Sequence, residues 1–258
     1  MSWRDAGRNA AYRVLSTFDR GAPSHVVVLY HSVGSPHAAS VPAATFDRQM
    51  ARLRARFTVV PLDTLLREVA GGRAAGRLAS VTFDDGYRDN HEHALPILER
   101  HRVAATFFVA TGFVGGAFHG WSGEHPMMTA DELRDVAARG HAVGAHGVSH
   151  VKLTQVPAAT AAHEVRASKA WLEDCLGRPV DAFAYPKGAH DEVVRRLVAD
   201  AGFRVALTTR EAVLEGPLDW LRVPRLVIDR GLRGTAFDAK LSRAGQWYQA
   251  LRRPGSAA

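Results

Sequence analysis

Cysteine is almost missing: Cys175 is the only one in 258 residues. No internal disulfide framework can form, and a reducing compartment suits such a chain. Cys175 falls in a helical stretch, where the expected role is that of a small buried hydrophobe. No apolar run approaches the ~20 residues that a membrane-spanning helix needs. The opening Met1-Ser2-Trp3-Arg4-Asp5 lacks the apolar centre of a secretory signal. The expectation is a cytoplasmic protein, with peripheral membrane contact left open and no reading of oligomeric state. No internal repeat and no low-complexity tract is present, which excludes a solenoid. No Gly-x-Gly-x-x-Gly follows the first apolar strand, which argues against an open dinucleotide-binding sheet. Acidic residues are the minority, 26 Asp and Glu against 33 Lys and Arg, for a formal net charge of +7. The cations are mostly Arg, dispersed through helices and not interleaved with aromatics, so a nucleic-acid partner is not expected. An anionic polysaccharide or lipid head groups would meet that charge equally well.

What is present is ordinary for one globular domain: 47% hydrophobic and 23% charged residues. Residues 1–22 form a leader with some helical character, since Ala10, Val14, Leu15 and Phe18 fall roughly on one face. Residues 23–258 form the domain. Strands are expected at 26–30, 57–60, 80–83, 104–109, 142–145, 180–185, 204–208 and 226–228. Between them, Thr45 can cap a helix carrying Phe46, Met50 and Leu53. Further helices are expected at 62–70, 90–101 with a kink or restart at Pro96, 129–139, 157–176 and 191–201. Thr129-Ala130-Asp131-Glu132 is a capping box. Residues 112–126, rich in Gly and aromatics, read as a substrate-facing loop. Such alternation implies a mostly parallel sheet in an α/β fold.

The chemistry centres on Ser80-Val81-Thr82-Phe83-Asp84-Asp85-Gly86. A buried strand ends there in two adjacent carboxylates, whose side chains can take different jobs because strand neighbours point opposite ways. Like charges that close are relieved by a cation. An Asp-Asp-Gly turn with both side chains in water is the alternative. His146-Gly147-Val148-Ser149-His150 follows another short apolar run. Two histidines four apart plus one carboxylate make a divalent-metal triad with open positions for water and substrate. With His31 and Lys187, these residues sit at the C-terminal ends of strands, the active-site rim of a (β/α) barrel.

Thr82-Phe83-Asp84-Asp85-Gly86 with His146 and His150 resembles the first two motifs of the NodB-homology polysaccharide deacetylases, carbohydrate esterase family 4. The flanks agree: Tyr87-Arg88-Asp89-Asn90, Ala104-Ala105-Thr106-Phe107-Phe108-Val109 and Phe183-Ala184-Tyr185-Pro186-Lys187-Gly188. The resemblance implies a single-domain distorted (β/α)7 TIM-like barrel. It implies Asp85, His146 and His150 as ligands of one divalent ion (Zn first, with Co, Ni or Mn as alternatives) and Asp84 as general base. The implied reaction is removal of acetyl groups from N-acetylated sugars of a polysaccharide or glycan intermediate. Two further readings stay open: hydrolysis of an O-acetyl ester or small amide, and a non-catalytic carbohydrate-binding relative.

The chain departs from the family pattern at two places. In Tyr185-Pro186-Lys187-Gly188 the third motif lacks its arginine and carries Lys187 where an aromatic is usual, although the Lys187 backbone N–H can still serve an oxyanion. Arg222 and Arg225, in Asp219-Trp220-Leu221-Arg222-Val223-Pro224-Arg225, are the candidates to replace that arginine, and Asp219-Trp220 resembles half of the fourth motif. No C-terminal Leu-x-His follows. Leu29-Tyr30-His31-Ser32-Val33 resembles the permuted arrangement of poly-N-acetylglucosamine deacetylases, which implies His31 as the general acid.

Overall fold

The protein was analysed as a computed structural model, which describes residues 25–120, 123–243 and 245; the leader expected over 1–22 lies outside the described residues. The first half runs β1 (Val26–Tyr30), β2 (Ser32–Val33), β3 (Ser40–Val41), α1 (Ala43–Arg56), β4 (Thr58–Val59), α2 (Leu62–Ala70), β5 (Leu78–Phe83), α3 (Leu95–Arg100) and β6 (Ala105–Val109). It continues with β7 (Ala117–Gly120), β8 (Gly123–Pro126), α4 (Ala130–Ala138), β9 (Ala142–Ala145), α5 (Ala158–Leu176), β10 (Ala182–Ala184), α6 (Glu192–Asp200), β11 (Val205–Leu207), β12 (Leu226–Val227) and α7 (Thr235–Lys240).

Seven strands pair side by side in the order β11-β10-β9-β6-β5-β1-β12, every pairing parallel. β4 attaches to the start of β5. Two ladder-like bonds bring the ends of this path together. Thr208 N–H donates to Val223 O and Val223 N–H donates to Ala206 O, both at 2.9 Å, so that Leu207 bridges Val223 in parallel. A few residues later the same segment joins β1 as β12. The result is the distorted (β/α)7 barrel expected from the sequence.

Side-chain alternation decides what faces the lumen. Val26, Val28 and Tyr30 of β1 pack outward with Phe46, Met50 and Leu53 of α1. Val27 turns the other way, into a cluster with Phe108, Leu207 and Val223. On β5, Ala79, Val81 and Phe83 belong to the outer cluster. Thr82 therefore faces in, where its hydroxyl donates to Val28 O at 2.9 Å. Asp84, two residues on, continues that inward row at the strand's exit.

Several local signals act as expected. The Thr129 hydroxyl accepts from Glu132 N–H at 3.2 Å while Glu132 accepts from Thr129 N–H at 2.8 Å. α5 stops at Gly177 in the left-handed conformation, φ 62°. Pro96 falls in the first turn of α3, after a separate π-helical turn over Asn90–Ala94. Three expectations are corrected. Thr45 lies inside α1, which starts after Pro42, because Pro42 presets an extended entry that needs no side-chain cap. Residues 117–120 and 123–126 pair as the antiparallel strands β7 and β8, where a loop was expected. Cys175 is only half-buried, its thiol near Ala130 O at 3.9 Å. No described helix is long and apolar enough to cross a membrane.

Candidate active site

β5 delivers both carboxylates to the C-terminal rim, and the backbone then reverses sharply. Asp85 takes φ 75° and Gly86 φ 89°. For Asp85 that left-handed geometry costs energy, and such strain persists where the surroundings over-determine it. Asp84 N–H donates to Tyr30 O at 3.0 Å, which ties the turn to β1. At Gly86 a Cβ would come within 3.2 Å of Val109, so glycine permits the close passage over β6.

The two aspartates then part company. Asp84, buried, receives a two-pronged ion pair from Arg225: Nη1 to Oδ1 and Nη2 to Oδ2, both 2.7 Å. Arg225 is itself fully buried. Its remaining donors go to Thr208 O at 3.0 Å and Thr82 Oγ1 at 3.3 Å, and it lies 5.6 Å from the centre of the Phe108 ring. Burial pushes the Asp84 carboxyl up, but the charges of Arg225 and His146 and the Arg225 hydrogen bond outweigh it, leaving it below its ordinary value.

Asp85 faces the histidines instead. Its Oδ1 lies 3.5 Å from His146 Nε2 and 3.3 Å from His150 Nε2. Burial raises the Asp85 carboxyl, and the His146 hydrogen bond with the neighbouring positive charges overcomes it, so the group stays ionised. His146 Nδ1 donates to Ala184 O at 2.7 Å, which orients the ring so that Nε2 faces Asp85. Burial pulls His146 down, but the charges of Asp84 and Asp85 and the Asp85 hydrogen bond outweigh it, leaving the ring above its ordinary value. Burial holds His150 down at about 4, keeping that ring neutral.

One ligand atom from each of Asp85, His146 and His150 lies within 4.8 Å of the others. Ligand atoms ~2.0–2.1 Å from a tetrahedral ion sit roughly 3.4 Å apart. The spacings of 3.3 and 3.5 Å from Asp85 match that figure. A carboxylate with two imidazoles is also a donor set for a first-row divalent ion, which displaces any proton from the ligating nitrogens. The residues fit a metal.

The loop that carries His150 is held by a residue the sequence reading missed. Glu164 of α5 accepts from Val148 N–H at 2.8 Å, Ser149 N–H at 2.9 Å and Ser149 Oγ at 2.6 Å. The signal was there: Glu164 interrupts the buried stripe Ala161, Val165, Ser168, Leu172.

The remaining candidates fall into two groups. His31 follows β1 on the same rim, half-buried, and its charge acts on both Asp84 and Asp85. Lys187 stands exposed in a left-handed turn, φ 58°, close enough to influence His150. Pro186 packs beside Gly147, and Gly188 at φ 71° passes so near Thr209 that no Cβ would fit. Tyr185 is scaffold: its hydroxyl donates to Leu221 O at 3.0 Å and its ring stacks on His190. Burial pushes its phenol well above the ordinary value. Arg222 pairs with Glu192 at 3.0 Å and does not reach Asp84. Asp219 accepts from Leu221 N–H, and Trp220 packs partly buried against the lumen cluster. Asp219 and Arg222, with His190, Asp191 and Arg210, line a separate cavity of about 890 Å³.

The sequence profile of the family described as Polysaccharide deacetylase matches residues 71–206, more than half of the chain. The chain is 25% identical over 202 residues to the poly-beta-1,6-N-acetyl-D-glucosamine N-deacetylase of Staphylococcus aureus, covering 73% of this chain and 68% of that one. Among solved structures, a Streptococcus pyogenes deacetylase, PplD, in complex with acetate, superposes with a TM-score of 0.74 at 21% identity, covering 86% of this chain and all of that one. IcaB from Ammonifex degensii also gives 0.74, at 24% identity, covering 86% and 98%. With the paired aspartates and the histidine cluster on one barrel rim, the profile match places this chain in the polysaccharide deacetylase family, as a deacetylating hydrolase.

Proposed function

We propose that the chain is a metal-dependent N-deacetylase acting on N-acetylated sugars of a polysaccharide or glycan intermediate. The observation that carries this reading is the split between the aspartates: Asp85 faces two imidazoles, whereas Asp84 is held by Arg225. Asp85, His146 and His150 would hold one divalent ion, zinc first, with cobalt, nickel or manganese as alternatives. When bound, the ion supplies Lewis acidity, polarising an acetyl carbonyl and acidifying water.

The chain's own residues divide the proton work. Asp84, kept ionised and aimed by Arg225, takes the proton from water as its oxygen attacks the acetyl carbon. The Lys187 N–H donates to the carbonyl oxygen as negative charge develops there. His31 gives a proton to the sugar nitrogen as the carbon–nitrogen bond breaks, because an amide nitrogen leaves poorly as an anion. The products are acetate and a free amino sugar. The name of the Staphylococcus aureus relative makes a β-1,6-linked N-acetylglucosamine polymer the first substrate to try.

The test is acetate release by the metal-reconstituted protein across acetylated glycans, with and without a chelator. Release from N-acetylated oligomers that stops on chelation is expected. Release undiminished by chelation, or acetate from O-acetyl esters alone, would overturn the reading.

A further inference from the structure

The loop that carries His31 is gripped by two consecutive residues to which neither the metal cluster nor the base gives a task. Asn90 donates from Nδ2 to His31 O at 2.8 Å. Asp89 accepts from the Ser32 hydroxyl through Oδ2 and from Val33 N–H through Oδ1 at 3.4 Å. Ser35 adds a further hydrogen bond to the same carboxylate. Both Asp89 and Asn90 are buried, Asn90 completely.

Two features separate this grip from ordinary packing. The first is its cost. Asn90 leaves its buried Oδ1 without a hydrogen-bond partner, and an unmade bond at a buried polar atom is destabilising. Asp89 bears the desolvation of a buried carboxylate, which raises it above its ordinary value in spite of those hydrogen bonds. Apolar residues would fill this space at less expense if filling were the task. The second is its place in the chain. Residues 89–90 lie four and five positions after Asp85, at the start of the π-helical turn Asn90–Ala94. π-Helical turns inside helices are rare and concentrate at functional sites. The grip thus ties the backbone of the His31 loop to the element that leaves the carboxylate turn.

We infer that Asp89 and Asn90 are positioning residues, fixing the His31 loop against the Asp84–Asp85 turn so that the His31 ring meets the leaving nitrogen. The inference rests on the reading of His31 as the acid. Misplacement of a reacting group by an ångström costs about a hundredfold, and Asn90→Ala releases one of several bonds. A loss of about ten- to a hundredfold in kcat on an acetamido sugar is expected.

The experiment is a double-mutant cycle on the metal-loaded full chain, with His31→Ala, Asn90→Ala and the double variant. Each is assayed on an acetamido sugar and on an activated aryl acetate, whose leaving group needs no proton. Asn90→Ala should lose activity on the sugar and keep it on the aryl ester, with metal content unchanged. In the His31→Ala background it should cost nothing further. Losses that add in full, or that fall equally on both substrates, would overturn the positioning role while leaving His31 as the acid. A silent His31→Ala would overturn the acid reading itself, and the positioning role with it. Should Asn90→Ala fail to fold, Ser32→Ala, which removes one hydroxyl from the same grip, carries the same cycle with the same outcomes.

Discussion

Asp84 and Asp85 are neighbours in the chain, both buried, and almost opposite in what surrounds them. Asp84 continues the inward row of β5 just past the strand's end and meets a guanidinium inside the barrel, so its charge is balanced by the protein alone. Asp85 is thrown into a left-handed turn and faces two imidazoles. Its partners are imidazoles, which yield a proton to a metal ion far more readily than a guanidinium does. One residue of phase along a strand separates an internally satisfied carboxylate from one built to be completed.

The largest effects should come from the Asp85 side. Purified protein should hold about one divalent ion per chain. His146→Ala, His150→Ala or Asp85→Asn should each release it and take acetate release to background, with elemental analysis as the readout. Full metal retention in all three would erase the contrast. Next comes Asp84→Asn, where metal content should stay at the wild-type level while kcat falls ~10²–10⁴-fold, the usual worth of a general base. If Asp84→Asn and Asp85→Asn lose metal alike, the two carboxylates share one job.

Arg225→Met tests the balance inside the barrel. It leaves Asp84 buried opposite an apolar side chain, and breaking a buried pair from one side costs ~3–5 kcal/mol, readable by denaturant unfolding. The pH profile should move as well. A base works while ionised, so activity is present above the Asp84 pKa and is lost as pH falls through it. Burial pushes that pKa up and Arg225 opposes it. Without Arg225 the pKa rises, and the acid limb of kcat/KM should begin at higher pH. An unmoved acid limb would mean that Arg225 only props the barrel.

Much of the frame was legible because it rests on short-range chemistry. β-branched runs fixed β1 and β5, Gly177 stopped α5, and the capping box began α4 at the expected residue. The β7–β8 hairpin was not legible, since its Gly, His and Glu residues show no alternation of polar and apolar positions. The Asp-Asp and His-x-x-x-His pairing announced a cluster of candidate metal ligands, because ligand spacing is itself a sequence pattern. Glu164 and Asn90 were hidden, since each acts on a backbone group that any residue would offer. The choice between Arg222 and Arg225 was hidden too. It depends on how the segment before β12 closes the barrel against β11 and β1, a contact between strands far apart in the chain.

That choice supplies the smallest and sharpest test. Arg222 and Arg225 flank the same proline, carry the same charge and were interchangeable in the sequence. In the fold Arg222 meets Glu192 at 3.0 Å, with 41% and 47% of the two side chains exposed. Pairs so exposed contribute ~0–1 kcal/mol, because water screens the attraction and two long side chains must be ordered to make it. Arg222→Ala should therefore change stability by less than about 1 kcal/mol and leave the acid limb where it is. Any effect should appear in KM for longer glycans, through the cavity Arg222 shares with Asp219 and Arg210, and not in kcat. A shift of the acid limb like that of Arg225→Met would show that Asp84 responds to the general positive field of the segment, not to one guanidinium bonded to both its oxygens.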